Sequence, residues 1–151
     1  MPKKLTMPKF IEGIGKRKSA VARVRIFELK KGTSVNVNGI NIKAGELIIN
    51  AKPIQKVFPS EVHKNIYLKP LLKTKTLDML AVSIIVLGGG YKGQIEAIAH
   101  GLSKAIIKLD EKKYRPILKA EGLLTRDSRV IERRKVGTGG KARRKKQSPK
   151  R

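Results

Sequence analysis

The chain has no cysteine and no tryptophan, and only three tyrosines and three phenylalanines among 151 residues. Without cysteine there is no disulfide, no thiol nucleophile and no cysteine-based zinc site, which excludes a disulfide-stapled secreted scaffold. Phe10, Phe27, Phe58, Tyr67, Tyr91 and Tyr114 are too few to form a platform that stacks successive unpaired bases. Recognition of a partner then leans on charge and shape. Long apolar runs are missing too: the longest, residues 79–87, contains Ser83 and is far shorter than the about 20 residues that span a bilayer. Acids are the scarcest class relative to their counterparts, with 11 Asp plus Glu against 36 Lys plus Arg and a formal net charge of +25.

That excess is well above the about 2 to 8 charges that keep a small domain soluble, and it points to a polyanionic partner. A basic face that is merely solvated is the bland alternative, and the size of the excess argues against it. The hydrophobic fraction, 40%, is that of a chain able to fold, and the length fits one domain with an appendage.

Composition divides the chain into three zones. Residues 1–8 are basic and carry Pro2 and Pro8, without an apolar segment of signal-peptide length; they read as a flexible basic leader on a cytosolic protein. Residues 9–125 are periodic and read as the folded body. Ala20, Ala22, Val24 and Ile26 alternate with Val21, Arg23, Arg25 and Phe27, so residues 10–29 predict two strands joined by a basic turn. Asn38-Gly39 between Val35/Val37 and Ile40/Ile42 predicts a tight hairpin. Residues 46–57 and 61–72 read as short helices broken by Pro53, Pro59 and Pro70. Residues 78–87 are apolar and β-branched, as in a central strand covered on both faces. From residue 91 to 109, Ile95, Ile98, Ala99, Leu102, Ala105, Ile106 and Leu109 share one helical face, and residues 111–120 predict a further helix ended by Gly122.

The third zone, residues 126–151, carries twelve Lys or Arg against Asp127 and Glu132, and no acid beyond Glu132. Only Val130, Ile131, Val136 and Ala142 are apolar, too few to offset the ordering entropy, so this zone is expected to be an extended arm ordered by a partner.

Enzyme signals are weak throughout. Gly88-Gly89-Gly90-Tyr91-Lys92-Gly93 satisfies G-x-G-x-x-G between a strand and a helix, but no acid closes a second strand, since Asp110 and Glu111 fall at a helix boundary. Glycines that permit a tight strand-to-helix turn close to other backbone explain it better, and a phosphate contact from nucleic acid at the free amides of the helix start is the middle reading. His63 and His100 have no metal-ligand spacing, and His100 is expected to pack beside the helix core or meet Glu96 one turn earlier. Ser19 and Ser103 have no recognisable base, so no catalytic residue, metal or cofactor is expected. At the level of residues, two other classes stay open: a nucleotide-binding enzyme built on the glycine turn, and an architectural DNA-binding or anionic-membrane-surface protein.

Four blocks, in order and with matching spacings, resemble small-subunit ribosomal protein nine. They are GIGKRKSAVARVRIF (13–27), the Asn38-Gly39 turn, GGGYKGQIEAIAHGLSKAII (88–107) and RPILKAEGLLTRDSRVIERRKVG (115–137), with Lys150-Arg151 at the end. The resemblance implies an α+β fold: a mixed four-stranded sheet with helices packed on it as a two-layer sandwich, plus an extended basic C-terminal tail. It implies a structural, non-enzymatic role in the head of the small subunit, in a cytoplasmic ribosome with an organellar one left open. Implied partners are small-subunit ribosomal RNA, peptidyl-site tRNA and neighbouring head proteins, with no membrane and no homo-oligomer. Carried onto this sequence, the RNA-facing positions are Lys16, Arg17, Lys18, Arg23, Arg126, Arg129, Arg133, Arg134, Lys135, Arg143 and Arg144. The tip that reaches the tRNA anticodon stem-loop is Lys150 and Arg151, while Gly88, Gly89, Gly90, Gly93 and Gln94 form a structural turn.

The chain departs from the family pattern at Ser128, where Pro is common after the TRD triplet, and at the end, Gln147-Ser148-Pro149-Lys150-Arg151, which lacks the usual aromatic. Residues 133–151, fully extended, reach at most roughly 63 to 68 Å, and Gly137, Gly139, Gly140 and Ala142 keep the arm thin.

Overall fold

In the computed structural model, which describes residues 9–30 and 32–131, the alternating segment becomes strand β2 (Ala20–Glu28), paired antiparallel with β1 (Ile11–Arg17). Ala20, Ala22, Val24 and Ile26 all point into the core and are essentially inaccessible. The Asn-Gly segment forms the hairpin β3 (Ser34–Val37) and β4 (Ile40–Lys43). Both turn residues have positive φ, 52° at Asn38 and 83° at Gly39, which is what a two-residue turn matching strand twist requires. The apolar run becomes β7 (Leu80–Leu87), entered through a 3-10 turn at Leu77–Met79.

Residues 46–57 differ from the helix read in the sequence. They form β5 (Leu47–Ile49), a turn, the two-residue strand β6 (Lys52–Pro53) and a single helical turn α1 (Ile54–Val57). Leu47, Ile48 and Ile49 pair in parallel with β7, and three residues are too few for a period to separate strand from helix. Asn50 extends the pairing with its side chain: its amide donates to the Val86 carbonyl and its Oδ1 accepts from the Val86 N–H, each at 3.1 Å.

The sheet therefore has the order β1-β2-β7-β5-β6, antiparallel except for β5 beside β7, with β3–β4 as a separate hairpin. It is the expected mixed sheet of an α+β fold, with five strands in place of four because of the short β6. On one face lie α2 (Glu61–Thr74), α3 (Tyr91–Ile107) and α4 (Glu111–Ala120). Helix α2 runs through Pro70, which is buried, and ends at Lys75 in the left-handed region (φ 55°). Asp110 caps α4 by accepting from the Lys113 N–H at 3.1 Å, and Glu121 just beyond its end binds Lys69 and Lys73 of α2.

The main core joins Val24, Ile26, Leu80, Val82, Ile84 and Val86 of the sheet to Ile95, Ile98, Leu102, Ala105 and Ile106 of α3. Helix α3 lies with its backbone directly on β1. A Cβ on Gly15 would stand 1.9 Å from the Ala97 carbonyl oxygen, and one on Gly13 would stand 2.4 Å from that of Gly101. The opposite face is covered only in part. Val35 and Ile42 of the hairpin close over Phe27 and Ala81, while further along β7 Ile85 and Leu87 are 41% and 71% exposed. Strand β7 is thus central, as expected, but not covered on both faces along its whole length.

Candidate nucleic-acid interface

The end of the β1–β2 hairpin gathers the cations that the sequence singled out. Lys16 and Lys18 are exposed, with Lys18 at φ 51° in the turn. Beside them sits the glycine turn. Gly88 and Gly89 have φ of 72° and 68°, and Cβ atoms there would stand 2.6 Å from the Ser19 carbonyl oxygen and 2.8 Å from the Ala20 Cβ. Gln94 closes the turn by donating from Nε2 to the Gly88 carbonyl at 3.1 Å, and the Gln94 N–H bonds the Gly90 carbonyl at 3.0 Å. A Cβ on Gly93 would stand in ordinary contact with the Arg17 carbonyl oxygen and the Ala20 Cβ. Gly88 and Gly89 are therefore packed against Ser19 and Ala20, so their lack of a side chain is used within the protein, whereas the first glycines of a dinucleotide site leave room for a pyrophosphate. What the turn does is aim the start of α3, with exposed Tyr91 and Lys92, beside the hairpin end.

Arg17 is oriented differently from its neighbours. Strand alternation puts it in phase with Gly13 and Gly15, toward α3, and it is buried. Its Nε donates to Glu96 Oε2 at 2.5 Å, its Nη2 pairs with Asp127 Oδ2 at 3.0 Å, and its Nη1 donates to the Arg129 carbonyl at 2.9 Å. Glu96 thus meets Arg17, not His100. The Asp127 carboxylate also accepts from the Arg129 N–H and, at 3.0 Å or less, from the Arg129 guanidinium. These bonds, led by the Arg129 side chain and backbone and assisted by Arg17, hold its carboxyl well below the usual range, and they raise Arg129 in turn. Arg129 nonetheless remains largely exposed, as does Arg126.

His100 is buried on α3, and neither ring nitrogen makes a well-formed hydrogen bond among the described residues. Burial, and then the neighbouring Lys104, lower its pKa, while the Leu124 backbone opposes and Arg126 adds to the lowering. It is a neutral ring at neutral pH. A shallow cleft of about 200 Å³ runs past it between α3 and the chain after α4, lined by Lys16, Ile66, Glu96, Leu123 and Arg126 among others.

Carboxylates are mostly consumed within the fold. Glu12 takes Arg25 at 2.9 Å and, more loosely, Arg23 at 3.8 Å; Glu111 binds Arg115; Glu96 and Asp127 hold Arg17. The cationic surplus is left facing outward. Arg23 stands on the outer sheet face between Ile14 of β1 and Ile85 of β7, apart from the hairpin end. Among the described residues there is no cluster of His, Asp and Glu able to hold a metal, and no helix long and apolar enough to cross a membrane. Arg133, Arg134, Lys135, Arg143, Arg144, Lys150 and Arg151 lie outside the described residues.

Residues 15–151 match the family model described as ribosomal protein S9/S16. The chain belongs to the ribosomal protein S9/S16 family. Within it, the chain is 43% identical over 137 residues to the small ribosomal subunit protein uS9 of Rickettsia rickettsii (strain Sheila Smith), covering 91% of this chain and 76% of that protein. It has the same identity and coverage with the uS9 protein of Rickettsia africae (strain ESF-5), and 42% identity with that of Rickettsia peacockii (strain Rustic). For an S9/S16 protein the glycine turn is a joint between sheet and helix. Lys92, exposed at the start of α3 beside the hairpin end, was not singled out in the sequence; its signal is the position right after a glycine turn, where free helix amides and a cation coincide. The inward turn of Arg17 was missed as well, although its phase with Gly13 and Gly15 carries it.

Proposed function

We propose that this small-subunit ribosomal protein is a structural RNA clamp. The body, residues 9–125, seats on small-subunit ribosomal RNA in the head, and the arm, residues 126–151, runs along RNA toward the peptidyl-site tRNA. The observation that carries the reading is the family match over residues 15–151, which takes in body and arm together. The outward cations around the hairpin end support it. Lys16, Lys18 and Arg126 take phosphates there, with Lys92 and the start of α3 beside them. Arg129 has one face on Asp127 and the rest free for RNA. Arg133, Arg134, Lys135, Arg143 and Arg144 continue this track, and Lys150 and Arg151 meet the anticodon stem-loop. The basic leader, residues 1–8, adds charge. Neither a cofactor nor self-association enters this role, which is exercised in the cytoplasm on the ribosome among other head proteins.

Binding by phosphate neutralisation is strong and falls steeply with salt, because each neutralised phosphate releases condensed counterions. On a density gradient the protein travels with small subunits and leaves only at high salt. Deleting residues 148–151 weakens retention of peptidyl-site tRNA while the chain stays on the subunit. Migration free of the subunit at low salt would sink the reading, and unchanged tRNA retention would remove the role of the tip.

A further inference from the structure

Past Leu124 the chain leaves the hydrophobic core. Leu123 and Leu124 still pack against it, whereas Thr125, Arg126, Ser128, Arg129, Val130 and Ile131 are all exposed and belong to no helix or strand. Among the described residues, the body bonds to this segment through the Arg17 side chain. Arg17, at the end of β1, presents a planar fork whose Nε is fixed by Glu96 of α3 and whose two terminal nitrogens meet the segment. Nη2 pairs with the Asp127 carboxylate at 3.0 Å, and Nη1 donates to the carbonyls of Arg129 at 2.9 Å and Asp127 at 3.5 Å. Asp127 shapes the segment for this by accepting the Arg129 N–H at 3.0 Å, a side-chain-to-backbone turn that brings the carbonyls of residues 127 and 129 round to one guanidinium.

We infer that Arg17 is a positioning residue: it pins the root of the C-terminal arm to the junction of β1 and α3, and so sets where and in which direction the arm leaves the body. The inference rests on the arm reading above for its consequence, but not for its geometry. Acceptors from Glu96, Asp127 and Arg129 spread around three different nitrogens suit a guanidinium, whose five donors lie in a rigid fork, and they do not suit an ammonium, whose donors diverge from a point. Glu96 has a matching part, because a carboxylate on the inner edge of the fork leaves the outer edge aimed at the root. An Arg17 that served RNA directly would instead be exposed, as Lys16 and Lys18 are. A root without this pin would swivel about residue 125, and an arm able to extend roughly 60 Å would spread its tip over a wide volume.

The test uses the full chain and two readouts. Amide exchange at residue 129, whose N–H is held by Asp127, is measured in wild type, Arg17→Lys and Asp127→Asn. Loss of even one charge-assisted bond of the pin speeds exchange about tenfold. Arg17→Lys retains the charge and is expected to fail as a rescue, while Asp127→Asn keeps the turn acceptor and gives a smaller increase. The same variants are then assembled into small subunits. Arg17→Lys stays on the subunit but loses tRNA retention to an extent comparable with deletion of residues 148–151. Wild-type exchange in Arg17→Lys overturns the inference, as does exchange raised equally throughout α3, which would mark general unfolding. If the deletion itself leaves tRNA retention intact, the arm reading fails, and exchange at residue 129 still decides the pin.

Discussion

Gly15→Ala tests the packing that holds the whole interface in place. At Gly15 the new Cβ would sit 1.9 Å from the Ala97 carbonyl oxygen, 2.4 Å from the Gly101 nitrogen and 2.9 Å from the Gly101 Cα. Every one of these atoms is backbone, so no rotamer change relieves the clash, and α3 must lift off β1 by about 1.5 Å to restore ordinary contact. The lift opens a gap under Ile95, Ile98, Leu102 and Ile106, all fully buried. Overpacking costs about 1 to 3 kcal/mol where side chains can adjust, and this site is at or above the upper end. The reduced freedom of the unfolded chain returns only about 0.4 to 1 kcal/mol. A net loss of about 3 kcal/mol lowers Tm by roughly 6 to 12 °C, read as helical circular dichroism during heating. Gly90→Ser is the control, because no atom lies within 4 Å of a Cβ there and its φ of −99° suits any residue. Its Tm should stay at the wild-type value or rise slightly with the better cap. A Gly15→Ala protein that melts with wild type would refute the account of α3 seated directly on β1.

Two further outcomes follow from the same geometry. Replacing Lys16 and Lys18 together with Ala weakens binding to ribosomal RNA and reduces the slope of log affinity against log salt by about 2, one for each phosphate left without its cation, while Tm is unchanged. His100 contributes a pH dependence whose sign is fixed by its lowered pKa. Its stabilising contribution is full above the ordinary histidine value of about 6.5 and is lost as pH falls through that value toward the folded one, since the unfolded chain takes up the proton more readily. Melting temperature therefore drops between neutral and mildly acid pH, and His100→Gln flattens that drop.

Much of the fold was legible because its periods are long enough to count. Ala20 to Ile26 alternate over four repeats, the Asn38-Gly39 turn has a conformational requirement few pairs satisfy, and the buried face of α3 recurs over five turns. Residues 47–49 were not legible, as three apolar residues carry no period and their strand character comes from pairing with β7, far along the chain. The cationic surface was readable in kind but not in orientation. Lys16, Arg17 and Lys18 are equivalent by composition, yet a period of two sends Lys16 outward and Arg17 toward α3. Its partners Glu96 and Asp127 lie 79 and 110 residues away, where no local pattern reaches. The open stretch of the outer sheet face at Ile85 and Leu87 escaped for a similar reason: the hairpin that covers the rest of that face is too short to extend over it.

The central claim, that the charge surplus serves small-subunit RNA rather than nucleotide chemistry at the glycine turn, is tested most directly by titration. The full chain is titrated with small-subunit ribosomal RNA, with generic duplex RNA of equal length, and with NAD and ATP. The account predicts tighter binding to small-subunit RNA than to the generic duplex, a steep fall with salt, and no tight binding of either nucleotide. Tight binding of NAD or ATP, with small-subunit RNA held no better than generic duplex, would contradict it.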